Sequence, residues 1–343
     1  MTDALRAGVI GLGVGEQHIE GYERAGCEVA VLCDFDAGRL AEVGERHPGP
    51  RLVADAAEVL DDPAIDVVSI ASWEQYHHEQ VVRALQAGKH VFVEKPVCLT
   101  RAEADDILAA LRERPQLRLS SNLPLRGSPR FAELHERIRD GRMGRVFYVE
   151  ADYDYGRLWK ITDGWRTEMP YYSVVHGAGV HMVDLLLWLT GDRVTEVKAY
   201  GAKLATEGTR FRFDDMVVAI LTLESGALAK VTANVASVTP HYHDLRVFGT
   251  EATFVNGLDH AVVYHGRDGD PRPERVDAPY PGMPKSVLIP GFVEAIRNGG
   301  PAPVTEEEVF ATIEVCLAIE QATRSDGAVA VRAARLATDG ARG

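Results

Sequence analysis

Two short motifs constrain the fold of this chain more than any other feature. The run LRAGVIGLGVGEQH occupies residues 5–18, and GKHVFVEKPVCL occupies residues 88–99. The first motif is typical of a glycine-rich turn that binds the phosphates of a dinucleotide, and the second places Lys95 just after a buried strand. Because ligands of open parallel sheets bind at the carboxyl ends of the strands, both motifs are expected to face one crevice.

The first part of the chain, residues 1–122, alternates short β-rich runs with helical stretches. The near-continuous apolar runs AGVIG and DVVSIA are typical of strands buried on both faces of a parallel sheet. A capping box of Thr100 and Glu103 marks the start of one helix. This alternation predicts an α/β fold, with a doubly wound Rossmann domain over residues 1–122.

The pattern changes after Asn122, and residues 123–343 are predicted to form an α+β domain with a large, mainly antiparallel open sheet. Its expected strands are Arg145–Tyr155, Val194–Leu204, Met216–Leu223, Ala227–Val238 and His243–Gly249. The apolar run GVHMVDLLLWLTG predicts a buried helix that ends at Gly191, a C′ glycine. A chain of 343 residues is long enough for two such domains.

Composition and charge exclude several classes of function. The net charge of −14 argues against nucleic acid and anionic membranes as partners. No apolar run approaches the roughly 18 residues of a membrane span, and no secretory signal is expected at the N-terminus. The four scattered cysteines are expected to be reduced packing residues of a cytoplasmic protein.

No metal is expected in this protein. His241 and His243 are two residues apart, which on a strand places them on one face. No third ligand with convincing spacing accompanies them, so we interpret both as polar groups of an organic-ligand site.

The glycine motif predicts how a dinucleotide is bound. Gly11 permits the tight turn, and Gly13 allows the backbone to approach the pyrophosphate at a helix N-terminus. The motif is imperfect, because Glu16 stands at the third glycine position.

Asp34 follows the second predicted strand, within the approximate spacing of the ribose-binding acid. Its carboxylate would accept hydrogen bonds from the ribose hydroxyls and repel a 2′-phosphate. Phe35 follows where an NADP site more often offers a cationic or hydroxyl residue, and Arg39 would pair with Asp36 or pack under adenine. NAD is therefore predicted over NADP.

The chain resembles the Gfo/Idh/MocA family of sugar and cyclitol oxidoreductases along nearly its whole length. The segments that carry the resemblance are GLGVGEQH, CDFDAGR, ASWEQYHHEQVVRALQAGKHVFVEKP, GWR, GAGVHMVDLLLWLTG and IPGFVEAIRNGGPAPVT. The EKP tripeptide after AGKHV is a specific signature, and the spaced histidine and aspartate of GVHMVD support it independently.

The resemblance implies an NAD-dependent dehydrogenase that oxidises a secondary ring hydroxyl of a sugar, amino sugar or cyclitol to a ketone, or catalyses the reverse. Lys95 would act at the reacting oxygen and His181 would accept the hydroxyl proton, a role that suits a histidine pKa near 6.5. A homodimer or homotetramer is implied through the outer face of the C-terminal sheet. An amine-bearing substrate such as an aminoglycoside is one expectation, because an acidic chain attracts cations.

The expected site residues fall into two sets. The cofactor-binding set is Gly11, Gly13, Val14, Asp34, Phe35, Arg39, Ser72, Trp73, His77, Glu94, Lys95 and Asn122. The substrate-binding set is Trp165, Arg166, His176 and Asp184.

The sequence departs from the family pattern at two positions. Many relatives carry Asp-x-Gly-x-His before the buried helix, and Gly177 stands here at the aspartate position. His176 is a candidate replacement for that aspartate. Trp73 stands where relatives usually have proline, which indicates a changed loop beside the cofactor.

Two alternatives stay open. An NAD-dependent glycosidase or lyase would oxidise its sugar transiently and then eliminate. A non-catalytic nucleotide-binding regulator would use the same fold, although the presence of both Lys95 and His181 argues against it. Fold alone does not decide among these.

Overall fold

The computed structural model describes residues 4–267, 269–280 and 284–333. The strands of these residues, β1 to β15 in chain order, are Arg6–Ile10, Glu28–Cys33, Arg51–Val53, Val67–Ile70, His90–Glu94, Leu119–Asn122, Val146–Asp154, Val194–Ala202, Met216–Leu223, Leu228–Asn234, Tyr242–Gly249, Ala252–Val255, Ala261–His265, Arg272–Val276 and Val329–Ala330.

The α-helices of the same residues vary widely in length. In chain order, α1 to α10 are Glu16–Arg24, Ala37–Arg46, Ala57–Leu60, His77–Gln86, Arg101–Glu113, Pro129–Arg139, Trp159–Thr162, Val180–Thr190, Ile289–Asn298 and Glu306–Ala322. Within the described ranges, no helix combines the length and the apolar character that crossing a membrane requires.

The first structural unit consists of residues 4–124 and 284–310 among those described. Its six strands form a parallel sheet in the order β3-β2-β1-β4-β5-β6, which is the strand order of the Rossmann fold. The central strands are buried, as the continuous apolar runs predict. The predicted Rossmann domain is confirmed.

Helix α9 belongs to this first unit, which differs from the predicted division at residue 122. The ring of Phe292 in α9 lies 5.6 Å from that of Phe92 in β5. Helix α9 also packs closely on α1. A Cβ added to Gly21 of α1 would lie only 3.0 Å from the Cβ of Ile289 in α9. The helix therefore completes the apolar cover of the parallel sheet, a long-range contact that local sequence does not indicate.

The second unit consists of residues 125–280, except 268, and residues 311–333. Its nine strands form one sheet in the order β14-β13-β12-β11-β7-β10-β9-β8-β15. Neighbours pair antiparallel except β7 with β10, so the predicted mainly antiparallel sheet is confirmed. Strands β12 to β14 extend the sheet beyond the strands predicted from sequence.

Helix α8 lies on one face of this sheet. Alternate residues of β7 (Val149, Ala151 and Tyr153) are buried on that face, as the two-residue period of a strand requires. The helix ends at Gly191, whose φ of 61° is the left-handed conformation expected of a C′ glycine. One π-helical turn, Val175–Gly179, leads into the helix. The sheet and α8 together position the candidate residues of this unit.

Candidate active site

The glycine turn after β1 packs closely against the backbone that follows β4. Gly11 has a φ of +84°, and a Cβ there would lie 2.7 Å from the backbone nitrogen of Ser72 and closer still to the carbonyl oxygen of Ala71. No side chain fits at this position, whereas Gly13 is uncrowded and Val14 is exposed. The turn leads directly into α1, so the N-terminus of that helix can bind a pyrophosphate.

Asp34, at the end of β2, is buried beside this turn. Its carboxylate accepts hydrogen bonds from the backbone N–H groups of Leu12 at 2.7 Å and Asp36 at 2.9 Å. The guanidinium of Arg39 lies 3.9 Å from the same carboxylate. Because each carboxylate oxygen has two lone pairs, the side chain can still accept hydrogen bonds from ribose hydroxyls.

Two aromatic rings lie next to Asp34 along this edge of the sheet. Phe35 is 69% exposed, and its ring contacts that of Trp73 edge-on at 5.8 Å. Trp73 is half-buried, and the two ring planes are nearly perpendicular, at 86°. The exposed face of Phe35 is therefore apolar surface beside Asp34, where the sequence predicts the nucleotide.

His77 joins the loop after β4 to the segment after β5. Its Nδ1 lies 2.6 Å from the carbonyl oxygen of Pro96, and its Nε2 lies 3.0 Å from that of Ser72. Ser72 also donates a hydrogen bond to Gln80 at 2.7 Å. Burial lowers the pKa of His77 below its ordinary value, although the two carbonyl oxygens act in the opposite direction. His77 therefore fixes the loop that carries Ser72, and its contact with a cofactor stays a prediction.

Glu94, the residue before Lys95, is the centre of a buried polar network. Its Oε1 accepts from Asn122 at 2.6 Å and lies 3.2 Å from Nε2 of His18, whose Nδ1 lies 2.7 Å from Ser69 Oγ. Burial raises the pKa of Glu94, but the hydrogen bond from His18 and the charges of Lys285, His18 and Lys95 lower it to about 2. The network anchors the half-buried Lys95 at the end of β5.

We expect Glu94→Gln to change how stability depends on pH. The pKa of Glu94 falls from an ordinary 4.5 to about 2 on folding, so its contribution is complete above pH 4.5 and is lost as pH falls toward 2. The free energy of unfolding should therefore drop at pH 7 by an amount on the order of 3 kcal/mol, and the deficit should shrink below pH 4.5. Urea unfolding of wild type and variant at several pH values measures this.

The exposed carboxylate of Glu113, at the end of α5, provides the control. The free energy of unfolding of Glu113→Gln should stay close to that of wild type at every pH. If the free energy of unfolding of Glu94→Gln stays below that of wild type by the same amount down to pH 3, the carboxylate charge does not stabilise this network.

In the second unit, the segment after β7 holds the predicted substrate residues Trp165 and Arg166. The guanidinium of Arg166 lies 4.5 Å from the ring centroid of Trp165 and 5.5 Å from that of Tyr172. Its Nε donates a hydrogen bond to the hydroxyl oxygen of Tyr172 at 3.0 Å. Two aromatic faces and a hydrogen bond thus fix the orientation of this cation.

His181, in the first turn of α8, lies against aromatic side chains of the sheet. Its ring stacks on Tyr153 at 6.0 Å and meets His243 edge-on at 6.4 Å. His243 is itself held by Tyr280, whose hydroxyl lies 2.5 Å from its Nδ1 and accepts from its backbone N–H at 2.9 Å. Burial raises the pKa of Tyr153, so its phenol stays neutral beside the imidazole of His181.

His176 and Asp184 are both buried, and Asp184 has a strong partner. Its carboxylate accepts from Nε of Arg126 at 3.1 Å and from an Nη at 2.6 Å, and both side chains are almost fully buried. This bidentate ion pair indicates a structural role for Asp184 in place of the predicted substrate contact. His176 lies in the π-helical turn, and its backbone N–H donates to Ser173.

The structure thus gathers the predicted cofactor residues in the first unit, and Trp165, Arg166, His176, His181 and Asp184 in the second. Sequence reasoning missed the roles of His18, Tyr153, Tyr172 and Tyr280. The available signal was the two-residue spacing of His241 and His243, and in the structure His243 pairs with Tyr153 of β7. Among the described residues, no group of three or more histidine, cysteine, aspartate or glutamate side chains is placed to hold a metal.

Comparison with protein-family models gives two matches. Residues 5–122 match the oxidoreductase family model with an NAD-binding Rossmann fold, and residues 131–255 match the GFO/IDH/MocA C-terminal domain. Together the two models cover most of both structural units.

Characterised relatives include dehydrogenases of cyclitols and sugars. The NAD-dependent scyllo-inositol 2-dehydrogenase of Bacillus subtilis is 27% identical, over 95% of this chain and 96% of its own length. The D-apiose dehydrogenase of Paraburkholderia graminis is 28% identical, over 80% of this chain and 75% of its own length.

Solved structures share the fold at low identity. Levoglucosan dehydrogenase in complex with NADH and levoglucosan superposes with a TM-score of 0.85 at 22% identity, covering 96% of this chain and 100% of that one. The myo-inositol 2-dehydrogenase of Lactobacillus plantarum has a TM-score of 0.82 at 20% identity, covering 96% and 100%.

Proposed function

Because the chain belongs to the Gfo/Idh/MocA family of NAD-binding oxidoreductases, we propose that it oxidises a secondary ring hydroxyl of a sugar or cyclitol to a ketone, or catalyses the reverse reduction. The observation that carries this proposal is Lys95, held after β5 by the buried Glu94 network in the same parallel sheet as the glycine turn. A lysine built in this way next to a nucleotide site supplies charge to a reacting oxygen.

The residues of the first unit fit a bound NAD. The crowded Gly11 turn offers amide groups to the pyrophosphate, Asp34 offers its carboxylate to the ribose hydroxyls, and the exposed face of Phe35 suits adenine. When bound, NAD supplies the acceptor for a hydride.

The chain's own residues would handle the proton and the charge. An imidazole nitrogen of His181 accepts the proton of the substrate hydroxyl, since histidine is the side chain that titrates near neutral pH. The ammonium of Lys95 stabilises the negative charge that develops on the substrate oxygen. Trp165 and Arg166 offer an aromatic face and N–H donors to a polyhydroxylated ring. His176 is a further candidate for contact with the substrate.

The substrate class can be tested by a panel of neutral, amine-bearing and acidic rings, with NADH formation followed by absorbance. We propose that the acidic chain, of net charge −14, favours an amino sugar, although the cation of Arg166 opposes this preference locally. Rates with an amine-bearing ring should then fall as salt rises.

The same panel tests the two alternative functions. Cleavage of a glycosidic bond without net NADH formation would favour the lyase, and NADH binding without turnover of any ring would favour a regulator.

We further propose a homodimer or homotetramer that associates through the outer face of the nine-stranded sheet. This face carries alternating half-exposed side chains with charges paired across strands, such as Lys230 with Asp152 at 2.8 Å and Arg246 with Glu150 at 3.6 Å. Light scattering of the purified chain measures the number of subunits.

We also propose a cytoplasmic location, because all four cysteines are buried free thiols.

Asp34→Ala should weaken NAD(H) binding by roughly 10–100-fold and narrow the preference over NADP(H). The change removes a charged acceptor of the ribose hydroxyls and the repulsion of a 2′-phosphate. Fluorescence titration with both cofactors measures the effect, and Asp55→Ala, which removes an exposed turn carboxylate, is the control. Wild-type affinity for NADP(H) equal to or above that for NAD(H) would contradict the assigned preference.

A further inference from the structure

The backbone at Gly177 is in unusually close contact with a tyrosine. A Cβ placed on Gly177 would lie 2.7 Å from Cζ and 3.1 Å from Cε2 of Tyr172, and closer still to the phenol oxygen. No side chain fits at position 177 while Tyr172 keeps this position. The phenol hydroxyl of Tyr172 therefore occupies the space that a side chain at position 177 would fill.

Position 177 lies four residues before His181, and the intervening turn runs continuously into α8. Residues four apart lie on the same face of a helix. The Tyr172 hydroxyl is thus placed beside the helix face that carries His181.

Arg166 fixes the position of the Tyr172 phenol oxygen. Its Nε donates to that oxygen at 3.0 Å, and arginine has donors only. The phenol oxygen is therefore an acceptor toward Arg166, and its second lone pair can accept from one further donor.

We propose that Tyr172 is a positioning residue for proton transfer. Its phenol oxygen, fixed by Arg166, accepts a hydrogen bond from one imidazole N–H of His181, which sets the orientation and tautomer of that ring and leaves the other ring nitrogen free to accept the substrate proton. Glycine is required at position 177 because the phenol needs the space. The inference rests on the proposed function, in which His181 accepts the proton of the substrate.

The kinetic test is Tyr172→Phe, which keeps the ring and removes the hydroxyl. We expect kcat to fall about 10–100-fold, because a misaligned base costs rate, while KM stays within about threefold. Tyr171→Phe is the matched control, because that neighbouring hydroxyl donates to Glu320 and should leave kcat within about twofold. In a His181→Ala background, Tyr172→Phe should change kcat by less than about twofold, since the two residues act as a unit.

Three results would overturn the inference. Normal kcat in Tyr172→Phe would show that the hydroxyl has no role in turnover. If the fold reductions in kcat from Tyr172→Phe and His181→Ala multiply in the double variant, Tyr172 acts independently of the base. A loss in kcat that Tyr171→Phe matches would indicate a general disturbance of the segment.

A second readout separates this inference from the proposed function, because it needs no substrate. The ring signals of His181 in a nitrogen-edited NMR spectrum, assigned by their absence in His181→Ala, should move in Tyr172→Phe and stay in place in Tyr171→Phe. Unmoved signals would overturn the inference even if sugar oxidation is found. Moved signals would support it even if no sugar in the panel is oxidised.

Stability tests the contact itself. Gly177→Ala should lower Tm, and a Tyr172→Ala background should remove most of that loss because the added methyl group no longer meets the phenol. Gly179→Ala is the control, since a methyl group there would meet Ala233 and Tyr172→Ala should give no relief. Equal losses of Tm from Gly177→Ala in both backgrounds would contradict the placement of the hydroxyl.

Discussion

Lys95→Met should lower kcat by roughly 10²–10⁴-fold, the usual size of a lost acid–base contribution, and leave NADH affinity nearly unchanged. The ammonium stabilises charge that exists only as the substrate proton and hydride leave, so its removal affects the transition state more than binding. Methionine keeps the length and apolar stem of the side chain. Steady-state kinetics with an active substrate, together with NADH titration, measure both parts.

Two variants sharpen the test of Lys95. Lys95→Arg keeps a positive charge but not the compact ammonium, so it should recover only part of the lost rate. His181→Ala should lower kcat by a comparable amount, because it removes the base. Near-normal turnover in both Lys95→Met and His181→Ala would rule out this mechanism and require a different base.

The first unit was largely predictable because its signals are local. The apolar runs AGVIG and DVVSIA form the buried strands β1 and β4, and the capping box of Thr100 with Glu103 is present at the start of α5. The turn at Gly11 follows from its place between a buried strand and a helix. The parallel order of the strands then brings Asp34 beside that turn, and the hydrogen bond from Leu12 to its carboxylate is the result.

The parts that were missed depend on contacts between residues far apart in the chain. Helix α9 was assigned to the second domain because nothing in its own sequence indicates that Phe292 packs on Phe92. Strands β12 to β14 are only four or five residues long, and their place in the sheet depends on pairing with neighbouring strands.

The same limit applies to the candidate site. Sequence showed that Gly177 departs from the family pattern and suggested His176 as a replacement. Tyr172 reaches the backbone of Gly177 through the conformation of the intervening loop, which no spacing rule gives. Likewise Asp184, predicted to contact substrate, binds Arg126 of a distant segment. Local patterns located the site, and tertiary contacts decided the partner of each side chain.

Asp184→Asn should destabilise the second unit strongly. The change keeps the shape of the side chain but removes the carboxylate charge that faces the buried guanidinium of Arg126, and breaking such a pair costs about 3–5 kcal/mol. For a unit of this size the loss corresponds to a fall in Tm of roughly 6–20 °C. Thermal unfolding followed by calorimetry measures it.

The double variant Arg126→Met/Asp184→Leu separates loss of charge balance from loss of the pair itself. Replacing both members of a buried ion pair with apolar side chains of similar size is often neutral, so this variant should be clearly more stable than Asp184→Asn. A substrate contact predicts the opposite pattern. If Asp184→Asn keeps its Tm and instead raises KM with intact kcat, the carboxylate binds substrate as the sequence suggested, and the ion pair with Arg126 adds little to stability.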